Sequence, residues 1–131
     1  MKKRKLVLAI DFDGTIVFND YPHIGLLKPN VKDVINDLYD NHNCEILIWT
    51  CRENIYLEEA KNFLIENNIK FHQINKNSDY VLNLWNDCDC RKIFADLYID
   101  DKGVYSPIDL NWLDIKEKIL AYKDKYSFHF L

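Results

Sequence analysis

Leu6-Val7-Leu8-Ala9-Ile10-Asp11-Phe12-Asp13-Gly14-Thr15 is a run of five apolar residues that ends in two carboxylates spaced two apart. The apolar part is rich in branched side chains and has no polar alternation, the pattern of a strand buried on both faces. Residues two apart on a strand point to the same side, so Asp11 and Asp13 are expected to crowd like charge at the edge of a hydrophobic interior. Such crowding is costly unless a cation or a shared proton compensates it. Gly14 and Thr15 add a flexible turn and a hydroxyl as the chain leaves the strand.

Outward from this stretch, strands and helices alternate. Residues 14 to 28 read as a loop around Tyr21-Pro22-His23-Ile24-Gly25. Pro29 and Asn30 open a helix whose Val31, Val34, Ile35, Leu38 and Tyr39 fall on one face, and Asn41 to Asn43 stop it. Cys44 to Thr50 reads as a second buried strand. A second amphipathic helix runs from Asn54 to Glu66, with Leu57, Ala60, Phe63 and Leu64 inward. Ile69 to Ile74 is a weaker third strand, and residues 75 to 90 carry no assignable pattern. Ala95 to Asp101 is a fourth strand, Val104 marks a short fifth, and a last helix spans Asp109 to Lys123. The alternation implies a Rossmann-like α/β fold, a parallel sheet with helices on both faces. Residues 1–131 make one domain of ordinary size.

Composition narrows the function classes. Hydrophobic residues are 48% and charged residues 29% of the chain, a soluble globular mix. A net charge of −4 argues against a nucleic-acid partner. The basic Met1-Lys2-Lys3-Arg4-Lys5 precedes an apolar run that Asp11 interrupts too soon for a signal core or a membrane span. The expectation is a cytoplasmic protein with no membrane partner, whose four cysteines are reduced. Cys88 and Cys90 with His72 are the one candidate thiolate metal site, but no second half at zinc spacing accompanies them.

In parallel α/β sheets ligands bind at the carboxyl ends of the strands. Three such ends carry polar chemistry: Asp11 and Asp13, Thr50, and Asp100 and Asp101. Four carboxylates at one edge call for an oxygen-seeking cation. Mg²⁺ suits them, especially beside a phosphate. Arg52 and Lys92 supply positive charge that an anionic substrate requires and a bare metal site does not.

These motifs resemble those of the haloacid dehalogenase-like (HAD) superfamily of aspartate-nucleophile phosphohydrolases. Its first motif stands here as Asp11-Phe12-Asp13-Gly14-Thr15, its second as the strand ending at Thr50, its third as Lys92 in Cys90-Arg91-Lys92, and its fourth as LYIDD ending at Asp100 and Asp101. In order they span residues 6 to 101, and the pattern looks closest to small capless bacterial phosphatases. The resemblance implies Asp11 as nucleophile forming an aspartyl-phosphate and Asp13 as general acid and base. It also implies Gly14, Thr50 and Lys92 on the phosphate, and Mg²⁺ held by Asp11, Asp13, Asp100 and Asp101. The intervals between motifs leave no room for a cap domain. Selection of a small phosphorylated metabolite then falls to His23, Arg52, Lys76, the segment 75 to 90, or a second subunit closing the site. A phosphotransferase or mutase using the same intermediate is one alternative. A non-enzymatic phospho-accepting module like the receiver domains is another.

Overall fold

The computed structural model describes residues 4–104 and 110–126. Strand β1 spans Leu6–Ile10 and is followed by a hairpin of β2 (Val17–Asp20) and β3 (His23–Leu27). Helix α1 (Val31–Asn41), β4 (Cys44–Ile48), α2 (Asn54–Glu66) and β5 (Gln73–Ile74) come next. Then follow α3 (Asp79–Leu84), β6 (Leu97–Ile99) and α4 (Trp112–Tyr126). The main sheet is parallel throughout, in the order β5-β4-β1-β6.

All five β1 residues are buried because a helical layer covers each side. Leu6, Leu8 and Ile10 pack with Val34, Ile35 and Leu38 of α1, Ala60 and Leu64 of α2, and Trp112 and Ile119 of α4. Val7 and Ala9 face a smaller core with Leu47, Val81 of α3, Ile93 and Ala95. The α/β architecture read from the sequence is the one observed.

The segment expected as a loop over residues 14 to 28 is instead a β-hairpin, antiparallel from Val17↔Leu27 to Asp20↔His23. Gly25 permits it: a Cβ there would lie 1.9 Å from the Phe18 carbonyl oxygen. The patternless segment 75 to 90 contains α3, whose first turn is fixed by Ser78 accepting the Val81 N–H. Val104 lies in a turn, and no strand follows β6 among the described residues. The last helix begins at Trp112, and its expected start at Asp109 lies outside the described residues. Between β1 and β4 stand only the hairpin and α1, and between β4 and β6 only α2, β5 and α3. No described helix is long and apolar enough to cross a membrane.

Strand β5 is shorter than expected because a side chain replaces its first rung. The His72 N–H donates to the Ile46 carbonyl at 2.8 Å, and the Ile46 N–H returns to His72 Nδ1 at 2.9 Å. The ring stacks on Tyr39 at 4.3 Å, with Nε2 3.2 Å from the buried Glu45 carboxylate. At the other edge Asp96 does the same for β6, its Oδ2 accepting the Val7 N–H at 2.7 Å.

Burial holds the His72 pKa below its usual 6.5, against the smaller opposing pull of Glu45. A depressed pKa means the unfolded chain binds the proton more readily, so this stability is fully present above pH 6.5 and is lost as pH falls through the folded pKa. Urea midpoints at pH 7.5 and 5.5 should therefore drop on acidification. His72→Asn, which retains an acceptor for Ile46, should flatten that drop. His72→Ala should cost about 1–3 kcal/mol at neutral pH by orphaning a buried N–H. An unchanged pH dependence in His72→Asn would contradict this.

Candidate active site

Strands β1 and β6 are neighbours where the strand order reverses, since β4 and β5 lie on the other side of β1. Such a reversal opens a crevice at the carboxyl ends. The Asp11 N–H donates to the Ile99 carbonyl at 2.9 Å and extends the ladder to the rim. That bond sets Asp11 beside the acids following β6. Carboxylate oxygens of Asp11, Asp100 and Asp101 lie within 4.8 Å of one another.

Thr15, fully buried, organises the cluster. Its hydroxyl donates to Asp11 Oδ2 at 2.9 Å and accepts the Asp101 N–H at 3.1 Å. Its carbonyl is held by Trp112 Nε1 at 2.9 Å, tying the turn to α4. Asp100 Oδ1 accepts the Lys102 N–H. Gly14, at φ +86°, leaves space for Asp101, because a Cβ there would stand 2.2 Å from Asp101 Oδ2.

The electrostatics are unfavourable without a cation. Burial first, then the Asp100 charge, push the Asp11 pKa up to about 7; Thr15 opposes this, and Asp101 adds to it. Asp101 Oδ1 is buried with no hydrogen-bond partner. An acceptor in that position normally has a partner, and three crowded carboxylates with an unmet lone pair have the chemistry of a hard-cation ligand set.

Asp13 is not part of this crowd, contrary to the expectation of an Asp11–Asp13 pair. β1 ends at Ile10, and a tight turn places the Thr15, Ile16 and Val17 N–H groups on the Phe12 carbonyl. The alternation that would have aligned the two acids is lost there. Asp13 instead meets Arg52, Oδ2 to Nε at 2.7 Å and Oδ1 to Nη2 at 2.8 Å. Arg52 also donates to the carbonyls of Pro22, His23 and Tyr56. Its guanidinium lies 5.4 Å from the Phe12 ring and 5.0 Å from Tyr21. The Asp13 bond raises the Arg52 pKa above its already high value. With five bonds made and 1% of the side chain exposed, Arg52 is a brace between hairpin, α2 and Asp13. In this geometry it is not a free contact for a substrate anion.

The remaining candidates are dispersed. Thr50 Oγ1 accepts the Arg52 N–H, while the Thr50 N–H is held by Asn75 Oδ1 at 2.8 Å. The Gly14 N–H, expected on a phosphate, is spent on the Val17 carbonyl at 2.8 Å. Lys92 is exposed and makes no ion pair with Asp11; its ammonium lies 4.8 Å over the Tyr98 ring. His23 is exposed and lines a shallow cleft with Glu59, Asn62 and Glu66. Lys76 is exposed just past β5. Trp85 packs edge-on against Phe94 at 5.1 Å and anchors its loop. The Cys90 thiol donates to the Lys92 carbonyl, and His72 is engaged in the sheet. No metal-ligating trio among the described residues includes a cysteine. Asn75 and Tyr98 were missed by the sequence reading, since one is a generic loop residue and the other reads as strand filler.

No protein-family model matches the chain, and no curated protein matches it. Among solved structures, a conserved protein coded by a locus from Bacteroides thetaiotaomicron superposes with a TM-score of 0.78 at 30% sequence identity. The match covers 95% of this chain and 98% of that one. The chain belongs to that protein's family. With nearly all of both chains aligned, the α/β fold is common to the two.

The Arg52–Asp13 pair yields a stability prediction. Removing one partner of a buried pair typically costs about 3–5 kcal/mol; Asp13 keeps 16% of its side chain exposed, which lowers this to about 2–4 kcal/mol for Arg52→Met. Asp13→Asn should cost less, because an amide still offers Arg52 an acceptor. A double-mutant cycle by urea denaturation should give a coupling of about 1–3 kcal/mol. Additive losses would show the pair to be incidental.

Proposed function

We propose that this chain is a capless, Mg²⁺-dependent phosphomonoesterase of the HAD-like superfamily. It acts in the cytoplasm on a small phosphorylated metabolite through an aspartyl-phosphate on Asp11. The observation that carries the reading is the cluster of Asp11, Asp100 and Asp101 at the reversal of strand order, with one buried carboxylate oxygen unmet. The first and fourth sequence motifs support it, because Asp11 from one and Asp100 and Asp101 from the other meet at this edge.

The residues fit Mg²⁺: Asp11, Asp100 and Asp101 would hold it, and its charge would offset that of the phosphoryl oxygens. With its carboxylate committed to Arg52, Asp13 is confined to its main-chain oxygen in any such site. An Asp11 carboxylate oxygen attacks phosphorus as the ester P–O bond breaks, and the departing oxygen takes up a proton. Water then attacks phosphorus, loses its proton, and frees phosphate and Asp11. Thr15 keeps one Asp11 oxygen occupied and so orients the other. Asp13, held by Arg52, would serve as the base in the second step. Donation in the first step requires its carboxyl to part from Arg52 and gain a proton.

The test is phosphate release from a panel of phosphomonoesters with Mg²⁺. Activity should vanish in excess chelator and in Asp11→Asn, which should remain folded because it relieves like-charge crowding. Asp13→Asn should lose about 10²–10⁴-fold on alkyl phosphates, whose leaving group needs a proton. On an activated aryl phosphate it should keep a burst of phenol. Full activity in chelator, or in Asp11→Asn, would overturn the reading.

A further inference from the structure

Lys92, read above as a phosphate contact, comes from an exposed segment that has no regular secondary structure. Its surroundings are nonetheless organised around a single side chain. Tyr98 on β6 pairs in register with Ala9, two residues before Asp11. Its hydroxyl donates to the Ile93 carbonyl at 2.8 Å and accepts the Ala95 N–H at 3.3 Å, gripping the chain on both sides of Phe94. Its ring leans against Trp49 at the end of β4, with centroids 5.6 Å apart. The exposed part of the ring lies under the Lys92 ammonium. Asn77, accepting the Phe94 N–H, and the Cys90 thiol on the Lys92 carbonyl complete the restraints on this loop, but neither touches the ammonium.

We propose that Tyr98 is a positioning residue for Lys92. The hydroxyl fixes the path of the loop, and the ring face keeps the ammonium over β6, the strand beside the one from which Asp11 emerges. A lysine carries its charge on a flexible four-carbon stem that the loop's hydrogen bonds do not restrain, so loop anchoring alone leaves the charge dispersed in solvent. Cation–π attraction to a face two residues from the nucleophile narrows that dispersion. The proposal rests on the phosphatase reading for its consequence, and on the geometry alone for its premise.

Two measurements test it. First, kcat and KM for Mg²⁺-dependent phosphate release are compared in wild type, Tyr98→Phe, Tyr98→Leu, Lys92→Ala and the Tyr98→Leu/Lys92→Ala double variant, with folding checked by thermal melts. Tyr98→Leu should lower kcat/KM about tenfold, and Tyr98→Phe, which keeps the ring, about two- to fivefold. In the Lys92→Ala background Tyr98→Leu should cost nothing further, because the residue it positions is gone. Additive losses in the double variant would overturn the proposal while leaving the phosphatase reading intact. Absence of any activity in wild type would instead overturn that reading and the proposed consequence with it. Second, competitive amine labelling followed by mass spectrometry reads the premise without turnover. Lys92 should react more slowly than exposed Lys76 in wild type and at a similar rate in Tyr98→Leu. Equal rates already in wild type would show that the ring does not hold the ammonium.

Discussion

The protein packs like charge at the junction of β1 and β6. Parallel pairing through Ile10↔Ile99 brings the chain emerging from β1 against the chain emerging from β6, and both carry aspartates at that point. The protein accepts the repulsion and builds around it. Thr15 bridges Asp11 to the Asp101 backbone, Trp112 fixes Thr15 from α4, and the missing Cβ of Gly14 makes room for the Asp101 carboxylate. None of these contacts neutralises charge. They hold the carboxylates in place while the Asp11 pKa rises to about 7, a strained arrangement whose natural complement is a cation.

Two aspartates separated by a single residue thus occupy opposite environments. Asp11 is driven toward protonation by burial and by neighbouring acids, whereas Asp13 is paired with a buried guanidinium. This divides the two carboxylates between an acidic cluster and a basic brace. The division also has a mechanical side. Arg52 holds the carbonyls of Pro22 and His23 at the hairpin tip with the same group that holds Asp13, so a displaced Asp13 and a displaced hairpin share one set of bonds.

The sequence was most legible where burial imposes a period. The five-residue apolar runs of β1 and β4 and the inward faces of α1 and α2 follow directly from the spacing of Leu, Val and Ile. It was least legible where single side chains replace backbone patterns. His72 supplies a rung that β5 lacks, and Ser78 starts a six-residue helix too short to show periodicity. The hairpin was missed because its strands are mostly exposed and carry no alternation of burial. At the site, the acids ending β1 and β6 were identified from their positions, but the partner of Asp13 was not. Strand alternation places Asp13 with Asp11, and only the turn beginning at Phe12 sends it to Arg52. Arg52 itself read as a free cation because a brace of five bonds leaves no trace in sequence.

Calorimetry of Mg²⁺ binding in buffers of different ionisation enthalpy tests whether the carboxylate cluster is shaped for Mg²⁺. With the Asp11 pKa raised by burial and the neighbouring acids, binding at pH 7 should release protons as the cation displaces them. Asp101→Asn should weaken binding strongly, and Asp13→Asn should weaken it little. No saturable Mg²⁺ binding, or binding with no proton released and no loss in Asp101→Asn, would contradict the account.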